Sequence, residues 1–161
     1  MTGHQHRGRS GSTSGACRAG EQLALGLDQR PLDIALIHRA TGIYTAVPEI
    51  EALLDRLNWP AEGDRLLDPG AGNGGFLVAA LRRLELARDD AEDAARRVRG
   101  YEFYRGAVAD ARRAVHDHLT GRGWSRPAAE RAALSVVEDR DYLLSPVPAG
   151  VFDVIAANPP Y

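Results

Sequence analysis

The sequence contains no lysine: all 20 of its strongly basic residues are arginine. With alanine also abundant, that pattern reads as a coding bias and not as a phosphate-binding signal. A net charge of −2 argues against a chain that holds nucleic acid through bulk positive charge. Cysteine is nearly absent. Cys17 stands alone, which excludes an intramolecular disulfide and a cysteine-rich zinc site. No run of ~18 apolar residues occurs, so no membrane span is expected, and the N-terminus lacks the apolar stretch of a secretory signal. The expectation is a cytoplasmic protein with no metal. What is present is ordinary for one globular domain with a core: 161 residues, 44% hydrophobic and 26% charged.

Residues 1–20 read as a disordered tail, because the stretch from Gly8 to Gly15 has no apolar side chain to bury. His4 and His6 within it are read as solvated, not as metal ligands. Residues 21–161 read as the folded part. Leu32, Ile34, Leu36 and Ile37 suit a short helix or a short strand equally well. Val47, Ile50, Leu53, Leu54 and Leu57 have helical spacing, and Pro48 suits a first turn, so a helix is predicted over about 48–58, ending before Asn58-Trp59-Pro60. Arg65–Asp68 reads as a buried strand, Phe76–Leu86 as a helix, and Val98–Phe103 as a second strand. Val108, Ala111, Val115 and Leu119 form one stripe of a further helix. Leu134–Glu138 and Val151–Ala157 read as the third and fourth strands. The link between those last two is too short for a full helix. Strands alternating with helices predict an α/β fold with a parallel sheet.

Between the first strand and the helix after it runs Asp68-Pro69-Gly70-Ala71-Gly72-Asn73-Gly74-Gly75-Phe76. A glycine-rich turn there lets the backbone approach a nucleotide-type ligand without Cβ clashes. The free N–H groups of a helix start would suit an anionic group. Gly70, Gly72 and Gly75 satisfy G-x-G-x-x-G, the dinucleotide signature. Asp68, Gly70, Gly72 and Gly74 equally satisfy D-x-G-x-G-x-G, the pattern of enzymes using S-adenosylmethionine (AdoMet). The loop leaves both cofactors open. Glu102, at the end of the next strand, is placed to accept from ribose hydroxyls in either case.

Asn158-Pro159-Pro160-Tyr161 follows directly on the fourth strand. Two prolines fix φ and preset the directions of neighbouring carbonyls. The asparagine adds an amide oxygen acceptor, and the tyrosine a flat ring with a polar tip. Two acceptors that take both N–H groups of a planar amino group would localise its lone pair. They would also stabilise the positive charge that develops on nitrogen as a methyl group arrives. A stacked ring would hold the planar group in place.

Taken together, the loop and the tetrapeptide resemble those of the N6-adenine DNA methyltransferases whose cofactor region precedes their target-recognition region. The resemblance covers most of residues 40–161. Asp68-Pro69 through Phe76 resembles the family's D-P-x-x-G-x-G-x-F motif. Thr41 to Thr45, with Pro48-Glu49-Ile50, is similar to its upstream segment, normally Tyr-Thr-Pro, with Ala46 in place of the proline. The resemblance implies a Rossmann-like AdoMet-dependent methyltransferase fold, truncated here after the fourth strand. It implies cofactor contacts from Asp68, Pro69, Gly70, Gly72, Gly74 and Phe76, and from Thr45 at the methionine end. Glu102 would hold the ribose, and Phe103 would pack on the adenine ring. Asp141 would accept from the cofactor's adenine amino group, with Tyr142 beside the ring. Asn158, Pro159, Pro160 and Tyr161 would be the catalytic residues. The partner would be duplex DNA with the target adenine flipped out, held by a surface beyond Tyr161. The 161-residue chain alone is expected to be inactive.

Three other readings compete. Protein glutamine methyltransferases of release factors and some guanine-N2 RNA methyltransferases resemble the same tetrapeptide. A dinucleotide oxidoreductase would use the loop but gives residues 158–161 no role. A non-catalytic remnant would keep the fold and lose the activity.

Overall fold

A computed structural model of the chain describes residues 44–145, 147 and 150–158. The expected tail 1–20, the segment 32–38, residues 41–43, and Pro159, Pro160 and Tyr161 lie outside the described residues. Those described form α1 (Val47–Arg56), β1 (Leu66–Asp68), α2 (Gly75–Arg82), α3 (Ala91–Arg97), β2 (Val98–Glu102), α4 (Arg105–Gly121), α5 (Arg126–Val136), β3 (Val137–Asp139) and β4 (Val154–Ile155). The four strands make one sheet of order β3-β2-β1-β4, with every pairing parallel. The fold is α/β and Rossmann-like, as the alternation of elements predicts.

The local reasons are visible in the side chains. α1 has a proline in its first turn and buries Ile50 and Leu54. It stops where Asn58 takes a left-handed φ of 53° and Trp59 N–H donates back to Leu54 O at 2.9 Å. α4 buries its predicted stripe of Val108, Ala111, Val115 and Leu119, each at most 3% exposed. Burial of a Val or Leu of this kind is worth about 1.5–3 kcal/mol. One core cluster draws on all five described helices and on Leu66, Val98, Val137 and Val154 of the strands. The alternate strand positions turn to the other face. There Arg99 pairs with Glu138 at 2.6 Å, and Ile155 is exposed.

Two glycines make this packing possible. A Cβ on Gly100 in β2 would lie 2.6 Å from Leu77 Cδ1, so α2 rests on a bare backbone position. Gly74 has φ 84°, and a Cβ there would meet the Ala111 backbone of α4 at 3.0 Å.

The third strand departs from expectation. Leu134, Ser135 and Val136 close α5 instead of opening a strand, and β3 starts only at Val137. Ala128, Ala129, Ala132, Ala133 and Val136 are all buried at helical spacing, and packing of that alanine face overrides the β preference of Val136. The chain passes from α5 into β3 with no loop, Val137 already being extended at φ −111° and ψ 106°. α3 was not expected and enters β2 in the same way, through Val98. β4 is shorter than the predicted 151–157, and α2 ends before Leu86.

Candidate functional site at the carboxyl ends of the strands

From β1 the chain moves through β2 to β3 on one side, then returns to β4 on the other. The switch point of the sheet therefore lies between β1 and β4, where open α/β sheets bind ligands. Register sets Leu66 against Val154 and Leu67 against Ile155, and Ala156 N–H donates to Leu67 O at 3.0 Å. Asn158 therefore emerges beside the glycine loop.

Two carboxylates organise the loop from within. Asp68 is 1% exposed and accepts from Gly70 N–H at 3.0 Å. Burial pushes its carboxyl up from the ordinary 3.8 to about 7; the Gly70 amide opposes the rise and the nearby Glu102 carboxylate adds to it. Glu102 is 6% exposed, and its two oxygens accept from Gly72 N–H at 2.9 Å and Tyr104 N–H at 2.8 Å. Ala71 N–H donates to Tyr101 O at 2.9 Å, Gly74 N–H to Ala71 O at 2.8 Å, and Gly75 N–H to Asn73 Oδ1 at 3.1 Å. The loop thus uses most of its donors internally. It presents a closely approachable backbone with two acids behind it, rather than a row of amides for a phosphate.

The upstream segment reaches this loop. A Cβ on Gly72 would lie 3.4 Å from Tyr44 Cε1, so the Tyr44 ring covers the turn. Thr45 Oγ1 accepts from Asn158 Nδ2 at 3.0 Å, joining residues 113 apart in sequence. Behind Thr45, α1 is tied down by Arg83, which bonds Glu51 O at 3.0 Å, Trp59 O at 3.2 Å and Asp55 Oδ1 at 2.8 Å.

Three comparisons with known proteins bear on this arrangement. No family model matches the chain, and no solved structure matches it. Two curated relatives do match. The type II methyltransferase M.XhoI of Xanthomonas vasicola is 29% identical over 132 residues, covering 74% of this chain and 24% of the relative. The type II methyltransferase M.PaeR7I of Pseudomonas aeruginosa is 32% identical over 133 residues, covering 74% of this chain and 22% of the relative. The chain spans about a quarter of the length of the curated relatives it matches.

The structure brings most of the expected residues to one end of the sheet. Asp68, Gly70, Gly72 and Glu102 are joined by the hydrogen bonds above, and Thr45 is joined to Asn158. Phe76 is buried in the core at 7% exposure, in the first turn of α2, and Pro69 is half-buried in the loop. Phe103 is 51% exposed next to Glu102. Asp141 caps its own turn, Oδ1 accepting from Leu143 N–H at 2.8 Å and Leu144 N–H at 3.3 Å. Tyr142 has its ring centroid 6.3 Å from that of Tyr101. Tyr44 carries no expected role from the sequence, yet its ring lies over Gly72, and its place beside Thr45 is the signal that points to it. Among the described residues no group of three or more His, Cys, Asp or Glu could hold a metal ion, and no helix is long and apolar enough to cross a membrane.

Proposed function

We propose that this chain carries the AdoMet-binding and catalytic part of a site-specific, adenine-specific DNA methyltransferase of a restriction-modification system. The observation that carries the reading is the position of β4 beside β1, which sets Asn158 next to the Asp68–Phe76 loop. The choice of AdoMet over a dinucleotide rests on charge. AdoMet has a sulfonium, an ammonium and one carboxylate, a net positive charge without a phosphate, which suits a loop backed by Asp68 and Glu102 with its amides already bonded. A pyrophosphate would find few free backbone donors in this loop. The choice of DNA rests on the two type II methyltransferase relatives and on the tetrapeptide. The choice of adenine rests on the motif resemblance.

On this reading Glu102 accepts from the ribose hydroxyls, Phe103 covers one face of the adenine ring, and Asp141 and Tyr142 border it. Bound AdoMet supplies an electrophilic methyl group. The Asn158 amide oxygen accepts from one N–H of the target amino group, and a carbonyl preset by Pro159 and Pro160 takes the other. Nitrogen lone-pair density is thereby localised, and its growing positive charge is met by fixed acceptors. Tyr161 stacks on the flipped base and fixes its approach. Transfer needs neither a metal nor a general base before the methyl group moves.

The test has two stages. Calorimetric titration should show AdoMet binding and no NAD binding; tight NAD binding without AdoMet would overturn the cofactor. Labelled methyl transfer to unmethylated DNA by the gene product carrying this chain should yield N6-methyladenine on nucleoside analysis, and Asn158→Ala should abolish it. Label on cytosine, or on protein glutamine, would overturn the substrate.

A further inference from the structure

We infer that Thr45 is a positioning residue that holds the Asn158 side-chain amide in place at the substrate; the inference rests on the reading of Asn158 in the preceding subsection. An asparagine side chain presents an acceptor oxygen and a donor nitrogen of almost equal shape, about a torsion with broad two-fold preferences. Only one orientation is useful. With the oxygen toward an amino group, the asparagine accepts an N–H; with the nitrogen there, two donors meet and the interaction is lost.

The structure supplies a partner that restrains this torsion. Asn158 Nδ2 donates to Thr45 Oγ1 at 3.0 Å, which turns Oδ1 to the opposite side of the amide. Thr45 is well suited to hold that bond. Its branched Cβ stiffens χ1, so the hydroxyl is carried on a short, rigid arm. The hydroxyl is also not taken by the neighbouring helix: the N-cap of α1 is Ala46, one residue later, and no side chain caps it. Both partners are anchored through their backbones. Ala156 is bonded to β1 two residues before Asn158, and α1 is seated through Ile50 and fastened by Arg83. A misaligned acceptor would lower the rate of transfer while leaving the cofactor's own contacts in place. A direct contact from Thr45 to the methionine end of AdoMet would instead show in affinity.

The two roles separate in an experiment on the gene product carrying this chain, with Thr45→Val (same shape, no hydroxyl) and Thr45→Ser (hydroxyl kept). Three quantities are read: the AdoMet dissociation constant by calorimetry, single-turnover methyl transfer to DNA at saturating AdoMet, and the 15N–1H signals of the Asn158 side-chain amide, assigned by their loss in Asn158→Asp. Thr45→Val should slow transfer roughly 10- to 100-fold, less than outright removal of such a group. Its AdoMet affinity should stay within about twofold, as for a group outside the cofactor's contacts. Its Asn158 amide signals should shift and exchange faster with solvent, and Thr45→Ser should restore both the transfer rate and the amide signals. Weaker AdoMet binding with an intact saturated rate would overturn the inference and make Thr45 a cofactor contact. Unchanged amide signals in Thr45→Val would overturn it as well. If the wild-type protein transfers no methyl group to DNA, the substrate reading fails by itself, and the amide signals of Thr45→Val still decide whether Thr45 holds Asn158.

Discussion

Asp68→Asn isolates the cost of burying a carboxyl behind the glycine loop. The carboxyl is 1% exposed and raised from 3.8 to about 7. A folded-state value above the unfolded one means that the folded chain holds the proton more tightly. The stability this gives is fully present below about pH 4 and is lost as pH rises through about 7. Across that window of about three units the slope for one proton is ~1.4 kcal/mol per pH unit, ~4 kcal/mol once ionisation is complete. Asparagine keeps an oxygen to accept from Gly70 N–H and does not titrate. The variant should therefore match the wild type near pH 4 and exceed it increasingly up to neutrality, the difference levelling off above pH about 7.

The difference between the two proteins is the quantity to plot, because His118 acts in the opposite sense. Its Nε2 is buried with no partner among the described residues. Burial, then Arg122 and Arg82, hold its ring below the ordinary 6.5. Its contribution to stability is thus lost as pH falls, and it cancels between wild type and variant. Urea unfolding followed by the fluorescence of the buried Trp59 and Trp124, from pH 4 to 8.5, measures the difference. Parallel stability curves, or a gap that widens toward acid, would refute the burial argument.

Gly100→Ala should destabilise the chain by about 1–3 kcal/mol in urea unfolding, because the new Cβ meets Leu77 Cδ1 at 2.6 Å inside the core; an unchanged midpoint would show that α2 does not rest on β2 as described. Gly74→Ala should cost about as much without any ligand, since it combines a left-handed φ of 84° with contact on the Ala111 backbone at 3.0 Å. Glu102→Ala should weaken AdoMet binding by roughly 1.5–3 kcal/mol, the range for a hydrogen bond to a charged group. An unchanged dissociation constant in a folded variant would remove Glu102 from the cofactor site.

Much of this protein was legible one segment at a time. The helical spacing of Val108, Ala111, Val115 and Leu119 is a property of the chain itself, and all four are buried where spacing places them. Glycines between a buried strand and a helix mark a close-approach turn wherever they occur, and the parallel sheet follows from the alternation of elements. Signals for the unexpected helices were also present. Asp90 caps α3, with Glu92 and Asp93 in its first turn and Arg96 and Arg97 in its last. Ser125 and Pro127 mark the start of α5. Alanine faces are only weakly apolar, so the adjoining valines dominated the reading of 134–138 until packing made the alanine face decisive.

Other features exist only because distant segments meet. Sequence spacing cannot show that Gly74 lies against Ala111, or that Gly100 lies under Leu77, because those distances are set by how helices seat on the sheet. Nor does a carboxyl at position 68 have a raised pKa until the fold removes its water and brings Glu102 near. The bond between Thr45 and Asn158 depends on strand order: β4 returns beside β1, and α1 leaves the Tyr44-Thr45 segment over the loop. The sequence by itself determined which residues could do chemistry, through their side-chain groups and local periodicity. Tertiary structure alone decided which of them touch, because contact across 113 residues is fixed by strand register and helix packing and by no local preference.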